Sequence, residues 1–486
     1  MGLTTLRLLR DKGLISQAEF DRALSDIAET SGARGGNDTT LVVSKFAATL
    51  YGFVEADAIW DSTQSFTDVA GNTLIAPATT ATGAPNYAGS HSRAQFGIRN
   101  SRFGIRLQSP STAWFRASGV IEADFEGATL PVGSGQPYLG TEAAFFNNPT
   151  FRLRNAYVRF ETPVVDILVG QFWHLFGWSG NYVGNSVNIT GIVGQVLNRT
   201  AQIRLSHTFR SEAVSFELGV AALRPPQRNS GTPEGAAGFQ LAFPKWSGMQ
   251  TISSAGTRIA PASIAVTGDV RKLSVAEFAA APTTARSVNG QGVAVDAFIP
   301  VIPATADKKG NSLSLNGEFT YSLGMSDLFT GLTGGVANPA LPNPTMATPA
   351  PSYTPDIDPG LAMYYATPGA QNGVTLGAVQ WTTFNVGLEY YFPGLDGRLW
   401  ISGNYFRTSS SNTSKFLGVA ADAAQTAIDA AKAKVRSHEQ FADVNVFGDP
   451  YPGVRFGLGY ANIADTYLNG TTATNHRVQF SGFYIF

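Results

Sequence analysis

The chain has 486 residues, a formal net charge of -1 and no cysteine. Charged residues are 14% of it, against roughly 25% for a soluble domain, too few to coat a large soluble surface. The missing cysteines exclude a disulfide scaffold, thiolate metal sites and a cysteine nucleophile, and the balanced charge leaves no footprint for nucleic acid.

Residues 1–35 read as helical. A first short helix ends at Gly13, and a second opens with a capping box from Ser16 to Glu19, with Phe20, Leu24 and Ile27 as a narrow apolar seam. This short helical extension either packs on its own protein or forms a self-associating stalk. Residues 1–16 lack an apolar signal-peptide core and cleavage site, so either a mature chain with an added Met or a cytosolic protein is expected, and the strand pattern that follows favours the first. The most apolar window, residues 164–178, is interrupted by Asp166, Gln171 and His174, so no transmembrane helix is expected.

From about residue 46 the period changes to two and stays there to residue 486. In residues 50–61, Leu50, Val54, Ala56, Ala58 and Trp60 alternate with Tyr51, Phe53, Glu55, Asp57 and Asp61. The same dyad pattern recurs at 114–126, 312–321 and 383–392. Short connections (109–112, 161–165, 209–213, 394–397, 448–453) alternate with long ones (63–90, 127–149, 174–199, 225–236, 276–290, 324–375, 410–438). Short turns at one end and long loops at the other mark an all-β, antiparallel transmembrane β-barrel. Counting through residues 46–486 gives about sixteen strands. The interval 237–301 is the least regular, because Pro244, Pro261 and Pro300 interrupt it and 247–261 reads as a turn that is long for its end.

A barrel also accounts for the final residues. In lipid every backbone N–H and C=O must be paired, so a sheet has to close on itself. The stripe of Val478, Phe480, Gly482, Tyr484 and Phe486 then faces lipid, and the last strand pairs with the first.

The C-terminal Phe486 behind Phe480 and Tyr484 resembles the assembly signal of Gram-negative outer-membrane proteins. Residues 50–61, with "NSRFGIRLQS" (100–109), "FRLRNAYVRF" (151–160), "ILVGQFWHLFG" (167–177) and "FADVNVFGDPYPGVRFGLGYA" (441–461), resemble the DcaP-like porins. A more distant likeness is to the phosphate-selective porins O and P. The resemblance implies a sixteen-stranded homotrimer and, at the N-terminus, a periplasmic coiled coil. Here that segment is short and broken at Gly13. It also implies an outer-membrane location with both termini periplasmic. Its partners would be membrane lipid, lipopolysaccharide and the barrel-assembly machinery.

A barrel of this size encloses a water-filled lumen, so function rests on the lumen wall. Basic residues cluster on it. Arg99, Arg102 and Arg106 fall on one strand, with a slip of parity between Arg99 and Arg102 that implies a bulge. Arg116, Arg152 and Arg154 take inward parity on nearby strands, and Glu55, Asp57 and Glu122 are inward acids. These nine are the candidate constriction residues, with Arg99, Arg102, Arg154 and Glu122 near mid-height. Loop 174–199 carries no charge between His174 and Arg199, and the resemblance implies that this third long loop folds into the lumen. Loop 410–438 is expected to hold a short surface helix. No catalytic constellation, metal-ligand spacing or cofactor motif is present. The expected function is passive diffusion of small polar solutes with a mild anion preference. An outer-membrane barrel enzyme and a secreted soluble β-sandwich are the competing readings.

Overall fold

The computed structural model describes residues 39–43, 46–68, 74–112, 114–127, 150–189, 191–226, 230–276, 285–332, 360–370, 374–416 and 424–486, with Lys12 and Ser16. The expected helical extension over 1–35 therefore lies outside the described residues, apart from those two.

Twenty strands follow in chain order: β1 Thr39–Val43, β2 Phe46–Asp61, β3 Arg93–Gly97, β4 Arg102–Gln108, β5 Arg116–Asp124, β6 Arg152–Glu161, β7 Asp166–Trp173, β8 Arg199–Arg210, β9 Ser215–Leu223, β10 Glu234–Ser253, β11 Gly256–Ala276, β12 Ala285–Ile302, β13 Ser312–Leu323, β14 Ala362–Ala366, β15 Val374–Ala378, β16 Gln380–Tyr391, β17 Leu399–Ser409, β18 Arg436–Tyr451, β19 Val454–Tyr467 and β20 Thr472–Ile485. The wall is a closed antiparallel barrel of 16 strands, in which β3 and β4 act as one strand because both pair with β2. β1 folds back on β2, and β14–β15 form a separate hairpin. β20 pairs with β2 from Ile485–Phe53 to Arg477–Asp61 and closes the ring.

Alternation sorts the side chains. Leu50, Val54, Trp60, Ile121, Ile203, Val270, Phe384, Leu458 and Phe480 are exposed on the outer face. Such a belt is stable against hydrocarbon, where a charge at mid-depth would cost about 2–4 kcal/mol. Inward partners such as Asp57, Glu318, Asn404 and Arg477 are buried.

The slip of parity on the second wall strand has a visible cause. Asp57 pairs with Gly97 and Phe53 with Arg102, so three residues of β2 face four residues between β3 and β4. The extra residue sits in a turn closed by the Ser101 N–H to Ile98 O bond, 3.1 Å. Arg99 and Arg102 both point inward as a result.

The interval 237–301 departs from the sequence expectation. Residues 247–261 are not a turn. β10 and β11 continue as a paired hairpin whose tip lies between Ser253 and Gly256. The prolines are absorbed without ending strands. The register shifts between Phe243 and Ser247, which leaves Pro244 out of the ladder, and between Pro300 and Ile302. A proline lacks the N–H that a regular ladder requires, so a shift there removes the conflict. In loop 410–438 a helix forms as expected, Gln425–Lys432, with no buried residue.

Candidate functional site: the lumen wall

The loop after β7 folds into the barrel. Its neck is closed by the His174 N–H to Asn198 O bond, 2.9 Å. Gly177, Gly191 and Gly194 take φ of 69°, 76° and 86°, which side chains with a Cβ rarely adopt. Because the loop has no charge, its backbone groups are satisfied by polar side chains of the far wall. Val187 N–H donates to Asn445 Oδ1 at 3.0 Å, Ile189 N–H to Gln479 Oε1 at 3.1 Å, and Val196 N–H to Glu318 Oε1 at 3.1 Å. Ser186 Oγ donates to Asp443 Oδ2 at 2.5 Å, and Asn404 Nδ2 donates to Asn185 O at 2.6 Å. A second segment, 324–332, lies against it through Leu197 N–H to Leu328 O, 2.9 Å, and Thr330 N–H to Gln195 O, 2.8 Å. Phe176, Val196, Met325, Leu328, Phe329 and Trp381 pack into one apolar cluster there.

This filling is one-sided. Inward residues of β13 and β16–β20 are covered, whereas Arg106, Tyr157, Arg159, Phe172, Arg204 and Ser206 on β4–β8 remain half-buried. Among the described residues the open side of the lumen is therefore the face of β4–β8, where the candidate arginines lie.

On that face five of the nine candidates come together: Arg102, Arg106, Glu122, Arg152 and Arg154. Arg154 donates from Nε to Glu122 Oε1 at 2.9 Å and from Nη1 to Asp124 Oδ2 at 2.8 Å. Arg152 donates from Nη2 to Asp124 Oδ2 at 2.6 Å and to Glu126 Oε2 at 2.5 Å. The carboxylates are buried beneath these guanidinium groups. Arg102 belongs to the same cluster but forms no ion pair among the described residues, and its guanidinium carbon stands 5.1 Å from the Phe53 ring centre. Arg106 stands 5.3 Å over the Tyr51 ring, whose hydroxyl donates to Glu122 Oε2 at 3.2 Å.

The other candidates lie elsewhere. Arg99 is buried on the long-loop side of the bulge, where it donates to the Phe125 and Gly127 carbonyls at 3.2 and 3.1 Å. Arg116 pairs with Glu161 at the short-turn rim, its side chain 54% exposed. Glu55 accepts from Asn100 Nδ2 at 2.6 Å. Asp57 accepts from Gln479 Nε2 at 3.0 Å and Ser481 Oγ at 2.5 Å.

Two residues outside the candidate set complete the face. Arg199 stands 5.0 Å over Trp173, and Arg204 stands 5.4 Å over Phe172. Neither makes an ion pair among the described residues. Arg204 has inward parity in the sequence. Arg199 was hidden because it ends a loop, and only the fold brings it within Coulombic reach of Arg102, Arg152 and Arg154.

The solved structure of the outer-membrane channel DcaP of Acinetobacter baumannii superposes with a TM-score of 0.58 at 16% identity, covering 93% of this chain and 100% of that one. The fold is that of an outer-membrane porin. The anion-selective porin of Comamonas acidovorans (TM-score 0.45, 11% identity, 91% and 100% covered) and OmpF of Salmonella typhi in complex with daunomycin (0.47, 11%, 92% and 100%) are further similar structures. No protein-family model and no curated protein sequence matches the chain.

One group of potential metal ligands exists among the described residues: His174, Glu234 and Asp269, with ligand atoms within 4.8 Å of one another. Its chemistry is that of an ion-pair network. The Phe176 N–H donates to His174 Nδ1 at 3.0 Å, so a neutral ring carries its hydrogen on Nε2, which faces Glu234 Oε1 at 3.1 Å. Arg271 donates to the same Glu234 oxygen at 2.6 Å and to Asp327 at 2.5 Å. A metal would have to displace a hydrogen and share its ligand with a guanidinium. The group instead ties the inner-loop neck to β10, β11 and segment 324–332.

Proposed function

We propose that this chain is a trimeric outer-membrane porin through which small polar solutes diffuse passively, with mild preference for anions such as carboxylates. Both termini lie on the short-turn side, which is periplasmic in this reading. Membrane lipid and lipopolysaccharide surround the outer belt, and the assembly machinery reads the end of β20 through Phe480, Tyr484 and Phe486. The N-terminal extension and the Gln425–Lys432 helix are candidate contacts between subunits.

The observation that carries the anion preference is the difference in exposure between the two signs of charge. Arg102, Arg106, Arg199 and Arg204 are half-buried on the open side, stack on aromatic rings and have no carboxylate partner among the described residues. Glu122, Asp124, Glu318 and Asp443 are buried, beneath guanidinium groups or beneath the inner loop. Guanidinium groups facing a pore lower the electrostatic barrier to anions. Glu161, Asp166 and Glu217 are also half-buried on this side, which keeps the preference mild.

A hydrolase in the barrel would need a serine, a histidine and an acid in contact. Among the described residues the contacts between a serine hydroxyl and a histidine ring are Ser90–His91 and Ser437–His438, both between chain neighbours, and neither ring bonds to a carboxylate. A non-enzymatic channel is the better reading.

The test is reversal potential across a salt gradient in planar bilayers, for the parent and for Arg102→Ala/Arg106→Ala/Arg204→Ala combined. An anion-selective parent and a variant shifted toward cations are expected. A cation-selective parent, or an unshifted variant, refutes the assignment.

A further inference from the structure

The hairpin extension of β10 and β11 leaves the wall. The last rungs to the neighbouring strands are Ala242–Ser215 on β9 and Ser263–Phe298 on β12, yet β10 and β11 stay paired for a further stretch, out to Ser253–Gly256. A turn projecting from the rim would meet no other strand. This one crosses the inside of the barrel.

Its contacts trace the path. Ser247 exchanges bonds with Ala304 beyond β12, with Ala304 N–H to Ser247 O and Ser247 Oγ to Ala304 O both 2.9 Å. Thr251 N–H donates to the Glu389 carboxylate on β16 at 3.1 Å, and Thr251 Oγ1 lies 3.0 Å from the Tyr391 hydroxyl. At the tip, Arg455 Nη1 on β19 donates to Ser254 O at 3.0 Å. The hairpin thus runs from the eighth and ninth wall strands to the fifteenth, most of the way to the opposite side. Seven residues from 247 to 253 span roughly 23 Å at about 3.3 Å each.

The wall is built to receive it. Tyr391, Trp400 and Phe447 stack in sequence on three adjacent strands, with ring centres 5.4 and 5.1 Å apart, and Arg455 lies 4.5 Å over Trp400. All three rings are fully buried, with Met249 of the hairpin and Val187 of the inner loop in the same cluster. Gln250 Nε2 donates to Asn181 O of the inner loop at 2.7 Å, so the two insertions touch. Glu389, Trp400 and Arg455 each lie within three residues of the short-turn end of their strands.

We propose that the hairpin Gly248–Thr257 is a second constriction, set at the short-turn mouth below the inner loop, and that it helps determine which solutes pass. The proposal rests on the channel reading. The inner loop narrows the lumen from the long-loop end, and the hairpin narrows it from the other. Together they cover the β12–β19 half of the lumen, so a solute leaving the arginine face meets the hairpin edge as it exits.

The experiment is single-channel recording of the parent and of a variant in which Gly248–Thr257 is replaced by Asn-Gly, with folding checked by heat-modifiable migration. The expected result is a conducting parent and a folded variant whose conductance rises by about twofold or more. A parent that does not conduct overturns the channel reading. A conducting parent and a folded variant of equal conductance overturn the second constriction alone. Because the shortened chain can fail to fold, Ser254→Cys provides an independent arm in this cysteine-free sequence. Modification with a charged methanethiosulfonate reagent is expected to reduce the current through open channels. Unchanged current after complete modification, verified by mass, overturns the proposal.

Discussion

Gly52 and Phe486 exchange both backbone hydrogen bonds, Gly52 N–H to Phe486 O at 2.9 Å and Phe486 N–H to Gly52 O at 3.0 Å. This pair is the last rung of the β2–β20 seam. The other rungs of the barrel join neighbours connected by a turn or loop. This seam joins opposite ends of the wall, so its formation closes the longest loop and carries the largest closure entropy. A Cβ on Gly52 would lie 2.2 Å from Arg102 O, so the approach of β4 also depends on that glycine.

Deleting Phe486, or replacing it with Asp, is expected to lower the yield of folded barrel sharply. Deletion removes the terminal rung, and the aspartate adds a charge to the apolar stripe of Phe480 and Tyr484. Heat-modifiable gel migration of outer-membrane fractions reads the outcome. Normal folded yield for both variants would show that neither the rung nor the stripe is needed.

Arg154 and Arg102 sit in one cluster but differ in their partners. Arg154→Ala strips the buried Glu122 and Asp124 of a cation, and breaking such a pair costs about 3–5 kcal/mol. Arg102→Ala removes a guanidinium with no carboxylate partner. We expect the urea midpoint to fall for Arg154→Ala and to stay near the parent for Arg102→Ala, while reversal potential moves for Arg102→Ala. Equal loss of stability in both would mean that Arg102 is a structural cation.

Arg116→Ala is the contrasting case at the rim. Its pair with Glu161 is exposed, and exposed pairs contribute about 0–1 kcal/mol. Neither the urea midpoint nor the reversal potential is expected to change. A marked shift in selectivity would place the constriction at the rim.

Asn445→Ala combined with Gln479→Ala removes the acceptors for Val187 N–H and Ile189 N–H. Each buried donor left without a partner costs about 1–3 kcal/mol. The inner loop should loosen while the wall persists, seen as noisier single-channel current with normal gel migration. Current as quiet as the parent's would mean that Glu318 and segment 324–332 suffice to hold the loop.

Removing residues 1–35 should leave a folded barrel and, if the proposed trimer forms, a less stable trimer, read as migration of unheated samples at increasing temperature. Loss of barrel folding would make the segment part of the wall or a plug.

The two-residue period and the alternation of short and long connections were enough to give the barrel, a count of about sixteen strands and the inward parity of the candidate residues. Both are local properties, since a strand pointing one side chain out points the next one in. The bulge between Arg99 and Arg102 was legible for the same reason, as a break in that parity. Partnership was not legible. Nothing in residues 99–154 distinguishes Arg154, neutralised by Glu122 and Asp124, from Arg102, which stacks on Phe53 without a carboxylate. That difference depends on register between strands and on the extra residue at Arg154, where Glu122 pairs with Asn155 and Ala123 with Leu153. The reach of β10 and β11 was equally hidden. Pro244 and Pro261 look like strand ends, and only the aromatic platform on β16–β18, about 130 to 200 residues later in the chain, explains why the hairpin runs inward. Sequence patterning sets the face of each residue, because it follows from the chain's own geometry. Which charges remain open to a solute is set by contacts between distant strands, and those exist only once the barrel has closed.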